Sequence, residues 1–201
     1  MARNKDLNQK IKDERREQIL SNALTLYAKK GLSATKITDI ASASGISQGL
    51  IYHYYRSKEE IFVELIGRAF ARLNDACRWL ESQPLSPKGK IEFAMKELLK
   101  LLEQDEHAAR YHLLIAQATA SEAIPDEAKA IIKKENTFPY EVIARIVTEG
   151  QKDGSIKKYD AKELALVFWT SINGLAIYKA VHGELFKAPD ANILMSMFFI
   201  E

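Results

Sequence analysis

The sequence predicts an all-α protein of about nine helices: a three-helix headpiece at the N-terminus, followed by a helical bundle. Three observations carry this. Apolar residues recur at three- and four-residue spacings over most of the chain. Nine Gly and five Pro in 201 residues are few, which favours long helices over a loop-rich all-β chain. No segment alternates apolar and polar residues as a half-buried strand would.

Ile19, Leu20, Ala23, Leu24 and Tyr27 form one helical stripe, and Gly31 stands where a C-terminal cap belongs. A short helix from about residue 35 turns Ile37, Ile40 and Ala41 inward and stops at Ser44-Gly45. A second begins at Ser47, whose hydroxyl can cap the free N–H groups of the first turn, and runs through residue 54. Ser57 and Glu60 read as a capping box before a helix over 58–81. Ser86 and Pro87 start the next, with stripe Ile91, Met95, Leu98 and Leu102. Another helix covers about 106–123, and Pro125 opens a further one. Pro139 kinks or divides what would otherwise be a single helix to residue 152, because it lacks an N–H and clashes with the preceding turn. Gly154 ends that segment. Asp160 and Glu163 cap a long apolar helix closed by Gly183, and a last amphipathic segment runs from about 190 to 201.

Charge is uneven. Residues 1–60 hold 11 Lys+Arg against 7 Asp+Glu, a net of +4, whereas 61–201 hold 18 against 20, a net of −2. A basic N-terminal third suits a nucleic acid, although a solvated basic helix face carries the same charge. The first 18 residues have no apolar run, so they do not read as a secretory signal. The stretch 164–181 contains Thr170, Ser171, Asn173 and Lys179 and suits a buried helix better than a membrane span. The reading is cytoplasmic, with no membrane partner. The single cysteine, Cys77, excludes an intrachain disulfide. His107 and His112 lie about 140° apart round a helix, a poor metal pair. No phosphate loop or nucleophile elbow is present, so neither enzyme, cofactor nor metal is expected.

Residues 35–54 have helix-turn-helix spacing, with Gly45 in the turn. Their chemistry suits a DNA groove. Gln48 can pair bidentately with adenine, and Leu50 can touch a thymine methyl. Gly49 costs about 1 kcal/mol against Ala inside a helix, and a close backbone approach would account for it. Tyr52, His53 and Tyr54 offer phosphate donors, as do the backbone N–H groups near Thr35 and Ser47; Lys36 and Lys58 add charge. Packing also claims part of the aromatic cluster: Ile51 and Tyr55 are expected in the core, Tyr52 and Tyr54 outside. A basic arm (Arg3, Lys5, Lys10, Lys12), read as disordered, adds nonspecific affinity.

Residues 31–61, GLSATKITDIASASGISQGLIYHYYRSKEEI, resemble the DNA-binding segment of the tetracycline-repressor (TetR) family. Gly31, Ala34-Thr35, Asp39-Ile40-Ala41, Gly45-Ile46-Ser47, Gly49, Tyr52 to Tyr55 and Lys58-Glu59 match in order and spacing. Gln48 departs from a frequent Lys, and Ser44 from a usual Ala. Farther on, the likeness rests on helix order, on Glu149-Gly150-Gln151 with Gly154, and on Asn173-Gly174-Leu175. The resemblance implies a homodimer whose headpieces each read half of a palindromic double-stranded operator through the third helix. It also implies a C-terminal domain that binds a small molecule and thereby releases DNA. The division would be 1–57 for the headpiece and 58–201 for ligand binding and dimerisation, the regulator being most often a repressor.

A single short helix buries too little to be specific, so two half-sites are needed. Residues 160–182 and 190–201, apolar on more than one face, suit a four-helix dimer interface. Met95, Tyr111, His112, Phe138, Tyr140, Trp169 and Asn173 are candidate ligand contacts for a hydrophobic effector, although a Met or aromatic at helical spacing is more often core. A helical protein–protein adaptor is the competing reading, separable by the salt dependence of binding.

Overall fold

The structure is a computed structural model that describes residues 2–200, with residues 2–6 and 8 described by backbone alone. Among the described residues it contains ten α-helices and no strand: α1 (Ala2–Ala34), α2 (Ile37–Ala43), α3 (Gln48–Ile51), α4 (Lys58–Ser82), α5 (Pro87–Gln104), α6 (Glu106–Thr119), α7 (Asp126–Glu135), α8 (Phe138–Lys152), α9 (Ala161–His182) and α10 (Ala191–Met195). A 3₁₀ turn over Gly183–Leu185 follows α9.

The local signals set most of these ends. The hydroxyls of Ser47, Ser57 and Ser86 accept from Leu50, Glu60 and Gly89 N–H groups, and Asp160 accepts from both Lys162 and Glu163. The Ser57 capping box is altered, since Glu60 Oε2 accepts instead from Arg56 N at 2.6 Å. Pro139 divides its segment. It is the second residue of α8, where no backbone N–H is required, while α7 ends at Glu135.

Four expectations change. The basic arm is helical from Ala2; its residues are good helix formers, and exposed pairs such as Gln9 to Asp13 (2.9 Å) and Lys10 to Glu14 (3.9 Å) support it. The side chains of Arg3 and Lys5 lie outside the described residues. Next, α3 stops at Ile51 rather than 54, because the following bonds tighten: Tyr54 N donates to Ile51 O at 2.8 Å and His53 N to Leu50 O at 3.2 Å. Third, α6 ends at Thr119, short of 123. Finally, α10 has five residues and does not continue to the terminus. Phe198 turns into the core beside Phe168, its carbonyl accepts from Lys157 N at 2.8 Å, and Phe199 forms an isolated bridge with Ile156.

Two apolar clusters hold the chain. The first joins Ile19, Leu24 and Tyr27 of α1 to Ile40, Ile51 and Tyr55, and to Ile61, Leu65 and Phe70 of α4. Leu114 and Ala118 of α6 and Ala128 and Ile132 of α7 complete it. The second gathers Met95, Leu99 and Leu102 with Val142, Ile146, Phe168, Trp169 and Ile172. Helix α4 contributes to both, with Phe70 in the first cluster and Cys77 in the second. Between them on α4, buried Asn74 donates to Glu135 Oε2 at 2.7 Å.

The segment Ala161–Leu185 is long and apolar enough to cross a membrane by length and composition alone, contrary to the reading of 164–181 as a poor span. Its Leu164, Ala165, Phe168, Trp169, Ile172 and Ala176 nevertheless pack into the second cluster, the behaviour of a core helix.

Candidate nucleic-acid interface and cavities

Helices α2 and α3 are joined through Gly45, whose φ of 64° suits glycine. At the start of α2, Asp39 Oδ2 accepts from Lys36 N at 3.2 Å and lies 3.5 Å from Lys30 Nζ. That N–H and the Lys30 charge hold the carboxyl below its ordinary value. Ile51 and Tyr55 of the following helix and turn are buried. The opposite side presents Lys36, Ser47, Gln48, Gly49, Leu50, Tyr52 and His53 to solvent. Gln48 Nε2 donates to the Tyr52 hydroxyl at 3.4 Å. Tyr52 is 51% exposed, whereas Tyr54 is half-buried against the first cluster, not outside as expected.

Gly49 has no packing reason to be glycine. A Cβ built there would meet only Ser47 Oγ, at 3.9 Å, and φ is not positive. Nothing inside the protein excludes a side chain at this position.

Two residues expected on the interface face inward instead. Thr35 is fully buried, its hydroxyl donating to Gly31 O at 2.7 Å. The Lys58 ammonium donates to the carbonyls of Leu32 (2.9 Å), Ser33 (3.3 Å) and Thr35 (2.7 Å). These carbonyls lie past the kink in α1 at Gly31, where φ 75° and ψ 168° are open only to glycine. Tyr27 donates to Lys58 O at 2.6 Å, and burial pushes its phenol pKa far up. Lys58 therefore fastens the end of α1 to the start of α4. A second clasp binds the same helices farther along: Arg16 to Glu64 at 2.6 Å, Arg68 to Glu64 at 2.7 Å and to Glu17 at 2.5 Å.

The seven candidate ligand residues divide. His112, Tyr140 and Asn173 come together in a mostly polar pocket of ≈ 240 Å³, where His112 Nδ1 donates to Asn173 Oδ1 at 2.9 Å. Burial lowers the His112 pKa and keeps the ring neutral at pH 7. Trp169 lines a different cavity, with its indole N–H donating to Pro139 O at 3.0 Å. Met95 is wholly within the second cluster. Tyr111 lies beneath Arg72 and Phe138 beneath Arg78, so neither faces these two pockets.

The Trp169 cavity, ≈ 230 Å³, lies between α4, α5, α8 and α9. Sequence reasoning missed most of its wall, including Leu73, Cys77, Trp79, Phe93, Leu98 and Ile143. The available signal was the pair Trp79 and Phe93, large aromatics standing off the core stripes of their helices. Trp79 is 50% exposed, and the ring centroids are 5.4 Å apart.

A helix-turn-helix with an exposed second helix, set on an α-helical bundle with pockets open to its surface, is the architecture of a DNA-binding regulator class. Residues 19–65 match the family of bacterial regulatory proteins, tetR family. The chain is 29% identical over 157 residues to the HTH-type transcriptional repressor KstR2 of Rhodococcus jostii, covering 78% of this chain and 75% of that protein. KstR2 of Mycobacterium tuberculosis, a ketosteroid transcriptional regulator, superposes with a TM-score of 0.72 at 21% identity over 93% of this chain and 96% of that one. FadR of Bacillus subtilis, solved in complex with stearoyl-CoA, gives 0.68 at 19% over 90% and 96%. Residues 19–65 thus carry a tetR-family DNA-binding segment, and the chain as a whole shares the fold of these regulators.

Proposed function

We propose that the protein is a dimeric, ligand-responsive repressor, a binding protein rather than an enzyme, acting in the cytoplasm on a palindromic operator. The observation that carries the DNA-reading surface is Gly49, an exposed glycine without an internal cause at the second position of α3. Its bare backbone lets α3 approach the groove closely. Gln48 reads adenine, Leu50 meets a thymine methyl, and Lys36, Ser47, Tyr52 and His53 set register on phosphates. Thr35 and Lys58 act on this surface indirectly, by holding the headpiece. Tyr54 contributes through packing.

Dimerisation is assigned to α9 and the segment after it. Leu166, Ile177, Tyr178 and Val181 of α9, with Leu185 and Ile193 beyond it, form an exposed apolar series that a second copy would cover. The division of labour is headpiece over 1–57 and effector binding with dimerisation over 58–201. The apolar cavity supports a hydrophobic effector.

Gel shifts against the region beside its own gene, and against palindromes selected from random DNA, test the reading. The expected result is sequence-specific binding that weakens steeply with salt. Salt-insensitive association, or no preference among sequences, overturns it.

A further inference from the structure

We propose that the cavity between α4, α5, α8 and α9 takes an uncharged aromatic compound about the size of two fused rings. This rests on the effector reading above and specifies its chemistry. Size is the first argument. An apolar cavity of about 150 Å³ holds benzene, and this one is ≈ 230 Å³. The wall is the second. Leu73, Cys77, Leu80, Ala94, Phe168 and Trp169 supply apolar surface, and no lysine, arginine or histidine lines it. The Trp169 N–H is already committed to Pro139 O. Burial pushes the Cys77 thiol up to about 12, which keeps it neutral. The one charged lining group, Glu97, has a side chain 52% exposed and stands 4.0 Å from Lys100. A carboxylate or phosphate inside would therefore be a buried charge without a counter-ion, which is strongly unfavourable.

The third argument is access. Trp79, Phe93 and Leu101 line the cavity yet are each partly exposed, so they form an apolar lip between α4 and α5. Both tryptophans of the chain belong to this one wall. Occupancy is consequently readable by intrinsic fluorescence on the full chain, without DNA.

The test compares 1-naphthylmethanol with 1-naphthoate, 1-naphthylmethylammonium and stearoyl-CoA, by calorimetry and by tryptophan emission. The neutral compound should bind and change the emission, with the two charged naphthyl compounds at least about tenfold weaker. Ala94→Leu, inside the cavity, should abolish binding; Ala76→Leu, at an exposed lining position, should weaken it and serves if the first variant does not fold. Equal or tighter binding of the anion, the cation or stearoyl-CoA overturns the proposal. So does absence of neutral binding, or neutral binding unchanged in the folded variants. Neutral binding that leaves the DNA complex intact would instead defeat the effector reading alone.

Discussion

Replacing Lys58 by Met keeps the apolar stem and removes an ammonium that donates to three carbonyls at 2.7–3.3 Å. A buried hydrogen bond to a charged group contributes about 1.5–3 kcal/mol. The three here do not add, because Lys58 is only half-buried and water can reach part of the vacated site. A net loss of about 2–3 kcal/mol follows, and for a chain of this size each kcal/mol lowers Tm by about 2–4 °C. Urea unfolding should therefore show an earlier midpoint at unchanged slope. DNA binding supplies the second readout. A lysine on phosphate would take about one unit from the salt slope when removed. A lysine that fastens the headpiece should leave the slope intact while affinity falls. A drop of one unit in the slope together with a stability change below about 0.5 kcal/mol would refute the reasoning and return Lys58 to the DNA face.

Three further outcomes are expected. Gly49→Ala should leave the fold as stable or up to about 1 kcal/mol more so, since its Cβ meets nothing closer than 3.9 Å, while operator affinity falls; unchanged affinity in gel shifts would remove the close-approach role. Burial alone would raise the Glu64 carboxyl, but the hydrogen bond and charge of Arg16 and the charge of Arg68 outweigh it and hold the pKa below the ordinary 4.5. A carboxylate depressed in this way stabilises the fold above 4.5 and loses that contribution as pH falls through its folded value. The gap in urea midpoint between the wild type and Glu64→Gln should thus be widest near neutral pH and close on acidification; a gap independent of pH would contradict it. If the proposed dimer forms through α9, Val181→Arg, at a position 70% exposed, should convert it to monomer in light scattering, and a persisting dimer would move the interface elsewhere.

What was legible in the sequence was local. Ser47, Ser57, Ser86 and Asp160 announce helix starts because a cap needs only neighbours two or three residues away. Gly31 marked the break after the first stripe for the same reason. The helix-turn-helix was readable because its residues are contiguous. What escaped depends on distant partners. Lys58 reads as one more surface cation until its carbonyl acceptors, 23 to 26 residues upstream, are brought to it. Thr35 reads as a helix start offering backbone N–H groups to phosphate until its hydroxyl is seen buried on Gly31 O. His112 and Asn173 meet across 61 residues. The apolar cavity is a gap left where four helices meet, and no single stripe encodes a gap. The length of α3 also escaped, because the tightening after Ile51 is a matter of backbone geometry rather than residue type.

The first apolar cluster does not close on residues 19–55; Leu114 and Ala118 of α6 and Ala128 and Ile132 of α7 form part of it. Grafting this headpiece onto another relative's bundle would confront its underside with foreign side chains. A functional chimera would need to carry the matching faces of α6 and α7 with it. Substitutions at exposed positions such as Gln48, by contrast, leave that shared packing untouched.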